Sequence, residues 1–397
     1  MQHRIIVLGA GYTGAVAAGR LAKRLRRENV AVTLVNAEPD FVERVRMHQL
    51  AVGQHLKPRP FSEMFAGTGV ELRLARVTGV DVDRKTVAVT DANGSEELAY
   101  DTLVYALGSG WSAQGVPGAA EHTHEIASRS GALRLRERLA RLDARQTVVV
   151  VGGGLTGLEA ATEIAEARPD LDVALAVRGG LGDWLSPKGR AHLRKVFGKL
   201  GITVHEHAAV TGVEADGVAT ADGKTIPAAV TVWTTGFVVH PIAKATALEV
   251  TGTGQIVVDA TMRSVSHPDV YAVGDAAHAM GPGNKPLRMS CASGIPTAWQ
   301  AADAIAARLT GGKLPDTPLR YFNQCISLGR KEGLIQYVTA DDRAVQAVLT
   351  GRLAAVYKEL VCKGAAWGVA NPTLGLPTRR RITRERAAAG PAVKALG

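Results

Sequence analysis

Two triplets of glycine carry the first chemistry legible in this chain. Gly9, Gly11 and Gly14 follow a branched apolar run, Arg4–Leu8, and precede Ala15–Leu25, which reads as a helix. Gly152, Gly154 and Gly157 repeat that spacing between the run Val148–Val151 and the helical stretch Leu158–Ala167. In a strand–turn–helix setting the first glycine makes a tight turn and the second admits a pyrophosphate to the backbone. The third lets helix and strand pack closely, with the helix N-terminus facing the phosphates. Tyr12 and Thr13 in the first turn, and Leu155 and Thr156 in the second, belong to the same cradles. Second strands, Val30–Val35 and Val173–Val177, complete a βαβ unit each time. One such pattern is weak. Two in context predict two dinucleotide sites, the arrangement of an enzyme that passes electrons between them.

Three polar residues refine those sites. Asn36 stands where an acidic residue usually holds the ribose, and it offers a hydrogen bond without charge. Arg178 ends the second strand of the second unit, with no carboxylate until Asp183. An arginine there accommodates a 2′-phosphate, so the lean is to NADPH, with NADH open; the alternative is an arginine facing solvent. Glu159 follows the second triplet in the pattern G-G-G-x-x-G-x-E.

Other elements must position these residues. Val70–Leu74, Val80–Val82 and Thr86–Val89, with a hairpin turn at Asn93-Gly94, read as an antiparallel meander. It returns to a buried strand, Thr102–Ala106, that ends at Gly108. The second half runs in parallel: a helix at Lys188–Leu200, a strand at Ile202–His205, a meander over Val210–Ile226, and the strand Val230–Trp233 ending at Gly236. Between the halves lies a charged amphipathic helix, Ser128–Leu142. Pro39–Gly53 reads as a cover over part of the first cofactor. Residues 318–372 read as a third, α+β piece, with strands at Ile326–Leu328 and Gly333–Tyr337 and a helix at Ala344–Leu360.

Composition narrows the class. The 397 residues suffice for two or three domains with real cores, and 46% hydrophobic content with 44 glycines suits an α/β enzyme. No apolar run is long enough to span a membrane and no signal region opens the chain, so a cytoplasmic protein is expected. Cys291, Cys325 and Cys362 lie far apart with no C-x-x-C, which points away from a disulfide framework or zinc site and toward small buried hydrophobes. No metal-ligand constellation is seen. His48, His205 and His207 read as surface or hydrogen-bonded structural residues. The net charge of +10 comes from dispersed basic residues apart from Lys23–Arg27 and Arg379–Arg386, and only 5% of residues are aromatic. That combination argues against nucleic acid.

Val270-Tyr-Ala-Val-Gly-Asp-Ala-Ala-His278 is the last landmark. With the two glycine triplets and both strand-to-glycine endings, it resembles the two-dinucleotide-binding-domain flavoproteins, the pyridine nucleotide-disulfide oxidoreductase superfamily. Within it the chain looks most like the type II NADH dehydrogenase and apoptosis-inducing-factor-like branch. The resemblance implies two Rossmann-like domains, each with its meander, plus a small C-terminal α+β region. The expected boundaries are 1–112 with 246–317 for FAD, 113–245 for NAD(P)H, and 318–397 for an acceptor-site or homodimer interface ending in a basic tail.

By that resemblance Gly9, Gly11, Tyr12, Thr13, Gly14, Asn36, Ala106, Gly108, Gly274 and Asp275 would hold FAD, with Asp275 on the ribityl chain. Gly152, Gly154, Leu155, Thr156, Gly157, Glu159, Arg178 and Gly236 would hold NAD(P)H, with Glu159 near the nicotinamide. A helix cap for Asp275 and a first-turn carboxylate for Glu159 are the structural alternatives. The cysteine pair of the disulfide reductases has no counterpart in Pro39–Gly53. Hydride would therefore pass from NAD(P)H to the flavin, beside a helix beginning near Pro296, and electrons onward to an external acceptor. A quinone fits best. A small redox protein, an aromatic metabolite, or a mainly binding role are the alternatives, and weak peripheral contact with a membrane is compatible with the family.

Overall fold

The computed structural model describes residues 2–316 and 318–384. It opens with β1 (His3–Leu8), whose last four residues are buried as the branched apolar run predicts. The chain turns through the first glycines into α1 (Tyr12–Arg24), which starts three residues before the predicted helix. It returns as β2 (Val30–Asn36), parallel to β1 in the register His3 to Val30. After a short helix, α2 (Met47–Ala51), and β3 (Val70–Leu74), an antiparallel meander follows: β4 (Arg76–Asp81), β5 (Thr86–Asp91) and β6 (Gly94–Ala99). The predicted turn at Asn93-Gly94 joins β5 to β6, with the Asn93 N–H donating to Asp91. β7 (Thr102–Tyr105) re-enters beside β1.

The second unit repeats this plan. β8 (Thr123–Glu125) leads to α3 (Arg129–Ala140), capped by the Ser128 hydroxyl. β9 (Thr147–Val151), α4 (Leu155–Ala167) and β10 (Asp172–Ala176) form the βαβ unit. α5 (Pro187–Lys199) and β11 (Thr203–His205) precede the meander β12 (Val210–Glu214), β13 (Gly217–Thr220) and β14 (Thr225–Pro227), and β15 (Val230–Trp233) closes the repeat. The chain then returns to the first sheet as β16 (Val270–Ala272), next to β7.

The two five-stranded sheets are therefore β16-β7-β1-β2-β3 and β11-β10-β9-β15-β8, with every pairing parallel. In each, the first strand of the glycine unit has its second strand on one side and a later strand on the other. Such a reversal of strand order opens a crevice beyond the carboxyl ends of the strands, and both glycine turns sit there. Ser109–Trp111 and Phe237–Val239 pair antiparallel where the chain crosses between units.

α6 (Cys291–Thr310) packs along α1, and Asp303 clamps it there, 2.7 Å from Arg20 and 2.8 Å from Arg24. This helix begins at Cys291, capped by Ser290, so Pro296 lies inside its first turns rather than at its start. β18 (Gly333–Val338) matches the expected strand, whereas β17 (Asn323–Ser327) begins three residues before the expected one and shares only Ile326 and Ser327 with it. The predicted helix over Ala344–Leu360 is corrected: β19 (Ala344–Thr350) completes an antiparallel sheet, and α7 (Gly351–Ala370) starts only afterwards. Gly351 adopts φ +75°, which a continuous helix forbids. The end of the predicted basic tail, including Arg386, lies outside the described residues.

Candidate active site

The glycine turns are built alike. A Cβ on Gly14 would collide with the Gly9 carbonyl oxygen, and one on Gly157 with that of Gly152, so each helix presses directly on its turn. Ala106 fills the first turn from behind, and Thr234 fills the second, its hydroxyl donating to the Val151 carbonyl at 2.8 Å. The resemblance implies Ala106 only as part of the FAD site, and Thr234 carries no such signal, because nothing local distinguishes it from Thr235. Gly108 and Gly236 both take positive φ as the chain leaves β7 and β15.

Beyond Gly11 and Gly154 there is open space: a Cβ at either would meet nothing within 4 Å. These residues are also the N-caps of α1 and α4, and neither helix has a side-chain cap or an acidic first-turn residue. α3, α5 and α6, by contrast, are each capped by a serine hydroxyl. The free N–H groups at α1 and α4, with room in front of them, fit the pyrophosphate groups of two dinucleotides. Tyr12, Thr13, Leu155 and Thr156 form the first turns of these helices. Thr13 also wedges against Gly274 and Gly294, bringing the start of α6 onto the first cradle.

Asn36 is committed within the protein. Its Oδ1 accepts from the Ala10 N–H at 3.0 Å and its Nδ2 donates to the Glu38 carbonyl at 2.8 Å. It staples the glycine turn to the end of β2. Asp275 is no helix cap of the ordinary kind; the Ser109 hydroxyl donates to its Oδ2 at 2.6 Å, and Arg44 stands 3.9 Å away. Arg44 in turn donates to the Ser109 carbonyl at 2.6 Å. Arg178 lies at the end of β10, exposed, with no ion pair among the described residues. Asp183, the nearest carboxylate in sequence, accepts from the Gly180 N–H at 2.6 Å and faces Arg190 at 3.6 Å.

Glu159 is the surprise. It is buried, and its Oε1 lies 2.9 Å from Lys358 Nζ on α7 while accepting from the Ser327 N–H at 3.1 Å. Burial would raise its pKa, but the Lys358 charge and the hydrogen bonds from Lys358 and the Ser327 N–H hold it below the usual carboxylate range. Burial works against the Lys358 charge too, and Glu159 overcomes it and raises the ammonium pKa. His48, expected as a surface or hydrogen-bonded residue, is instead 4% exposed, and burial pushes it down to about 4. His205 and His207 are partly or fully exposed, as expected.

The three cysteines converge around Lys358, though they are distant in sequence. Lys358 donates to the Cys325 carbonyl at 3.1 Å and acts electrostatically on all three thiols. All three are free, and burial raises each thiol pKa, Cys325 to about 11. Protonated thiols of this kind are poor nucleophiles. The convergence was invisible because it is made by β17, α6 and α7 meeting in space.

Comparison with known proteins agrees with this construction. Residues 3–306 match the pyridine nucleotide-disulphide oxidoreductase family. The NADH dehydrogenase-like protein YutJ of Bacillus subtilis is 27% identical over 339 residues, covering 84% of this chain and 92% of its own. The demethylphylloquinone reductase NdbB of Synechocystis is 26% identical over 375 residues, covering 90% and 92%. In fold, the chain superposes on NDH2 of Plasmodium falciparum in complex with NADH, with a TM-score of 0.77 at 14% identity over 96% of this chain and 99% of that one. Two other solved structures of like fold are longer, and this chain spans 62% and 65% of them. No helix among the described residues is long and apolar enough to cross a membrane. The chain belongs to the pyridine nucleotide-disulphide oxidoreductase family and is an FAD-dependent NAD(P)H oxidoreductase.

Proposed function

We propose that the protein oxidises NADPH and reduces a quinone, with FAD in the first cradle and the nucleotide in the second. The observation that carries the acceptor is the buried Glu159–Lys358 pair. It ties the start of α4 to the surroundings of Cys291, where α6 begins, and so stands between the two cradles. A lysine held charged there offers a proton to a reduced oxygen acceptor. The thiols beside it are held protonated and have no part in the transfer. The relative NdbB is named a demethylphylloquinone reductase, which supports a quinone acceptor, and YutJ is named NADH dehydrogenase-like, which supports the nicotinamide half of the reading.

FAD held in the first cradle would supply two-electron hydride chemistry between the nicotinamide and the acceptor. Gly9, Gly11 and Gly14 admit its pyrophosphate, and Asp275, held by Ser109, offers a carboxylate oxygen to the ribityl hydroxyls. Gly152, Gly154 and Gly157 do the same for the nucleotide, and Glu159 orients Lys358. Steady-state oxidation of NADPH with a soluble quinone, ferricyanide and oxygen tests the reading. Rapid turnover with quinone supports it; turnover only with an added redox protein overturns it.

Arg178 selects the donor. Exposed, uncommitted and at the strand end, it is free to pair with a 2′-phosphate, while Asp183 is occupied by its own loop. A charged hydrogen bond contributes roughly 1.5–3 kcal/mol, or about 10- to 100-fold in affinity. Arg178→Ala is expected to lower kcat/KM for NADPH by that factor and leave NADH unaffected. A wild type that prefers NADH, or a preference unchanged by the substitution, refutes the role.

A further inference from the structure

Quinone reduction by NADPH has a proton requirement that the two cradles do not meet. NADPH, one solvent proton and a quinone give oxidised nucleotide and hydroquinone; two electrons and one proton travel as hydride, and the other proton must come from water. Glu159 is buried and the Lys358 side chain is only 15% exposed, which restricts direct replacement from solvent of a proton surrendered there.

A row of groups leads outward from Glu159. Its Oε2 lies 3.9 Å from His48 Nδ1, and His48 Nε2 lies 4.0 Å from Glu163 Oε2. Glu163 is four residues beyond Glu159 on α4, so both carboxylates point from one helix face toward α2. The other oxygen of Glu163 accepts from Gln54 Nε2, and Gln54 is partly exposed. His48 Nε2 and Glu163 Oε2, both buried, have no hydrogen-bond partner among the described residues. Leaving two such atoms unpaired costs stability. Apolar side chains in those positions would carry no such cost.

We propose that Glu163 and His48 form a proton-supplying row that joins Gln54 at the surface to the Glu159–Lys358 pair. The inference rests on the quinone reading above. The 3.9 and 4.0 Å separations are too long for direct hydrogen bonds, and a small rotation of the ring or one bridging water closes each. A proton enters at the Glu163 carboxylate. His48 takes it at Nε2 and releases one from Nδ1 to Glu159, which returns it to Lys358. Each transfer moves one proton and no electrons, and the ring ends in its other tautomer.

The surroundings suit the task. His48 on α2 faces Glu159 and Glu163 of α4, Lys358 of α7, Arg46 just before α2, and Arg330 between β17 and β18. Arg136 of α3 lies at the far end, beside Gly53. Glu163 faces Arg330, Glu166, Glu159 and Gln54. Burial lifts Glu163 to about 7, so near neutrality it both takes and gives a proton. His48, at about 4, is neutral at rest and keeps one ring nitrogen open to accept.

The test uses the FAD-loaded protein and two readouts. The first is infrared titration of the wild type between pH 5 and 9: a protonated-carboxyl band is expected to vanish with a midpoint near 7 and to be missing in Glu163→Gln. No such band, or one that persists in Glu163→Gln, overturns the row. The second is the ratio of quinone to ferricyanide turnover, since ferricyanide takes electrons without protons. Glu163→Gln and His48→Phe are expected to lower that ratio at least fivefold, most strongly above pH 7, and Glu163→Asp to restore part of it. An unchanged ratio in a wild type that reduces quinone refutes the row alone. A wild type that reduces ferricyanide but no quinone refutes the acceptor reading and the row with it. Should His48→Phe fail to fold, the infrared titration and Glu163→Asp still decide the matter.

Discussion

At the scale of single residues, Lys358 is the most exposed to test because its charge is neutralised by one partner in a buried place. Lys358→Met removes the ammonium 2.9 Å from Glu159 and leaves a buried carboxylate with only Ser327 and His48 beside it. Breaking a buried pair in this way costs about 3–5 kcal/mol. Urea unfolding is expected to show that loss, and Lys358→Met with Glu159→Gln to recover most of it. A double variant as unstable as the single one would mean that Lys358 acts through packing instead. Glu163 gives a second prediction, in pH. Its folded pKa of about 7 lies above its ordinary value of 4.5, so its share of stability is present below pH 4.5 and lost as pH rises through 7. At pH 8 that loss approaches about 3 kcal/mol. His48 has the opposite sign: its pKa falls from 6.5 to about 4, so its share is lost on acidification through that window. Glu163→Gln is therefore expected to gain stability relative to the wild type between pH 5 and 8, read from urea midpoints. An equal difference at both pH values would place Glu163 in a site that does not resist its charge.

The glycine residues were legible in the sequence because their work is local, fixed by a turn and its helix. His48, Lys358 and Thr234 were not. Their roles come from elements that meet only after folding, and a histidine, lysine or threonine has no spacing that announces such a partner. Asn36 shows a middle case: the position was legible, but the structure ties both ends of its side chain to the glycine turn and Glu38.

Among elements, most parallel strands and their helices were readable to within a few residues, since burial on both faces leaves continuous branched apolar runs. β3, expected in the antiparallel meander, runs parallel to β2 instead, and the three-residue β8 gave no run to read. β19 was not readable either. Its Ala-Val-Gln-Ala-Val-Leu-Thr run, Ala344–Thr350, has no fully buried residue, carries helix-favouring alanines and flows into a true helix. The signal available was Gly351, whose positive φ separates the two. The turn-and-helix unit also supports a prediction. Gly157→Ala places a methyl against the Gly152 carbonyl oxygen, so α4 must move off the turn, at a cost of about 1–3 kcal/mol. The variant is expected to remain yellow with FAD while its KM for NADPH rises at least tenfold. Gly14→Ala is expected to do the reverse and lose flavin. Flavin absorbance after gel filtration, with stopped-flow reduction, separates the two; equal flavin and KM in both variants would remove the cradles from cofactor binding.

For the molecule as a whole, the question is where a quinone is met. α7 buries Ala354, Cys362, Ala366 and Val369, while Leu353, Val356, Leu360 and Trp367 form one stripe on its outer face. Leu353 is 71% and Leu360 63% exposed, which a helix serving only the interior does not require. Arg352 and Lys363 flank the stripe, and Arg379 and Arg380 follow beyond the helix, in a chain of net charge +10. An apolar stripe with basic flanks suits the surface of an anionic bilayer, where the leucines enter the headgroup boundary and each nearby cation adds about 1 kcal/mol. That surface also holds the apolar acceptor proposed here, and Lys358 on the opposite face of the same helix faces the site. The protein is expected to cosediment with vesicles containing anionic lipid, less with neutral ones, and less at high salt as the charges are screened. Leu353→Gln with Leu360→Gln removes two large apolar contacts of about 1.5 kcal/mol each, so binding should fall by roughly a hundredfold. Turnover of a short-chain soluble quinone should persist in that variant. If the wild type ignores vesicles and instead sediments as a dimer that the double substitution breaks, the stripe belongs to a second copy of the chain.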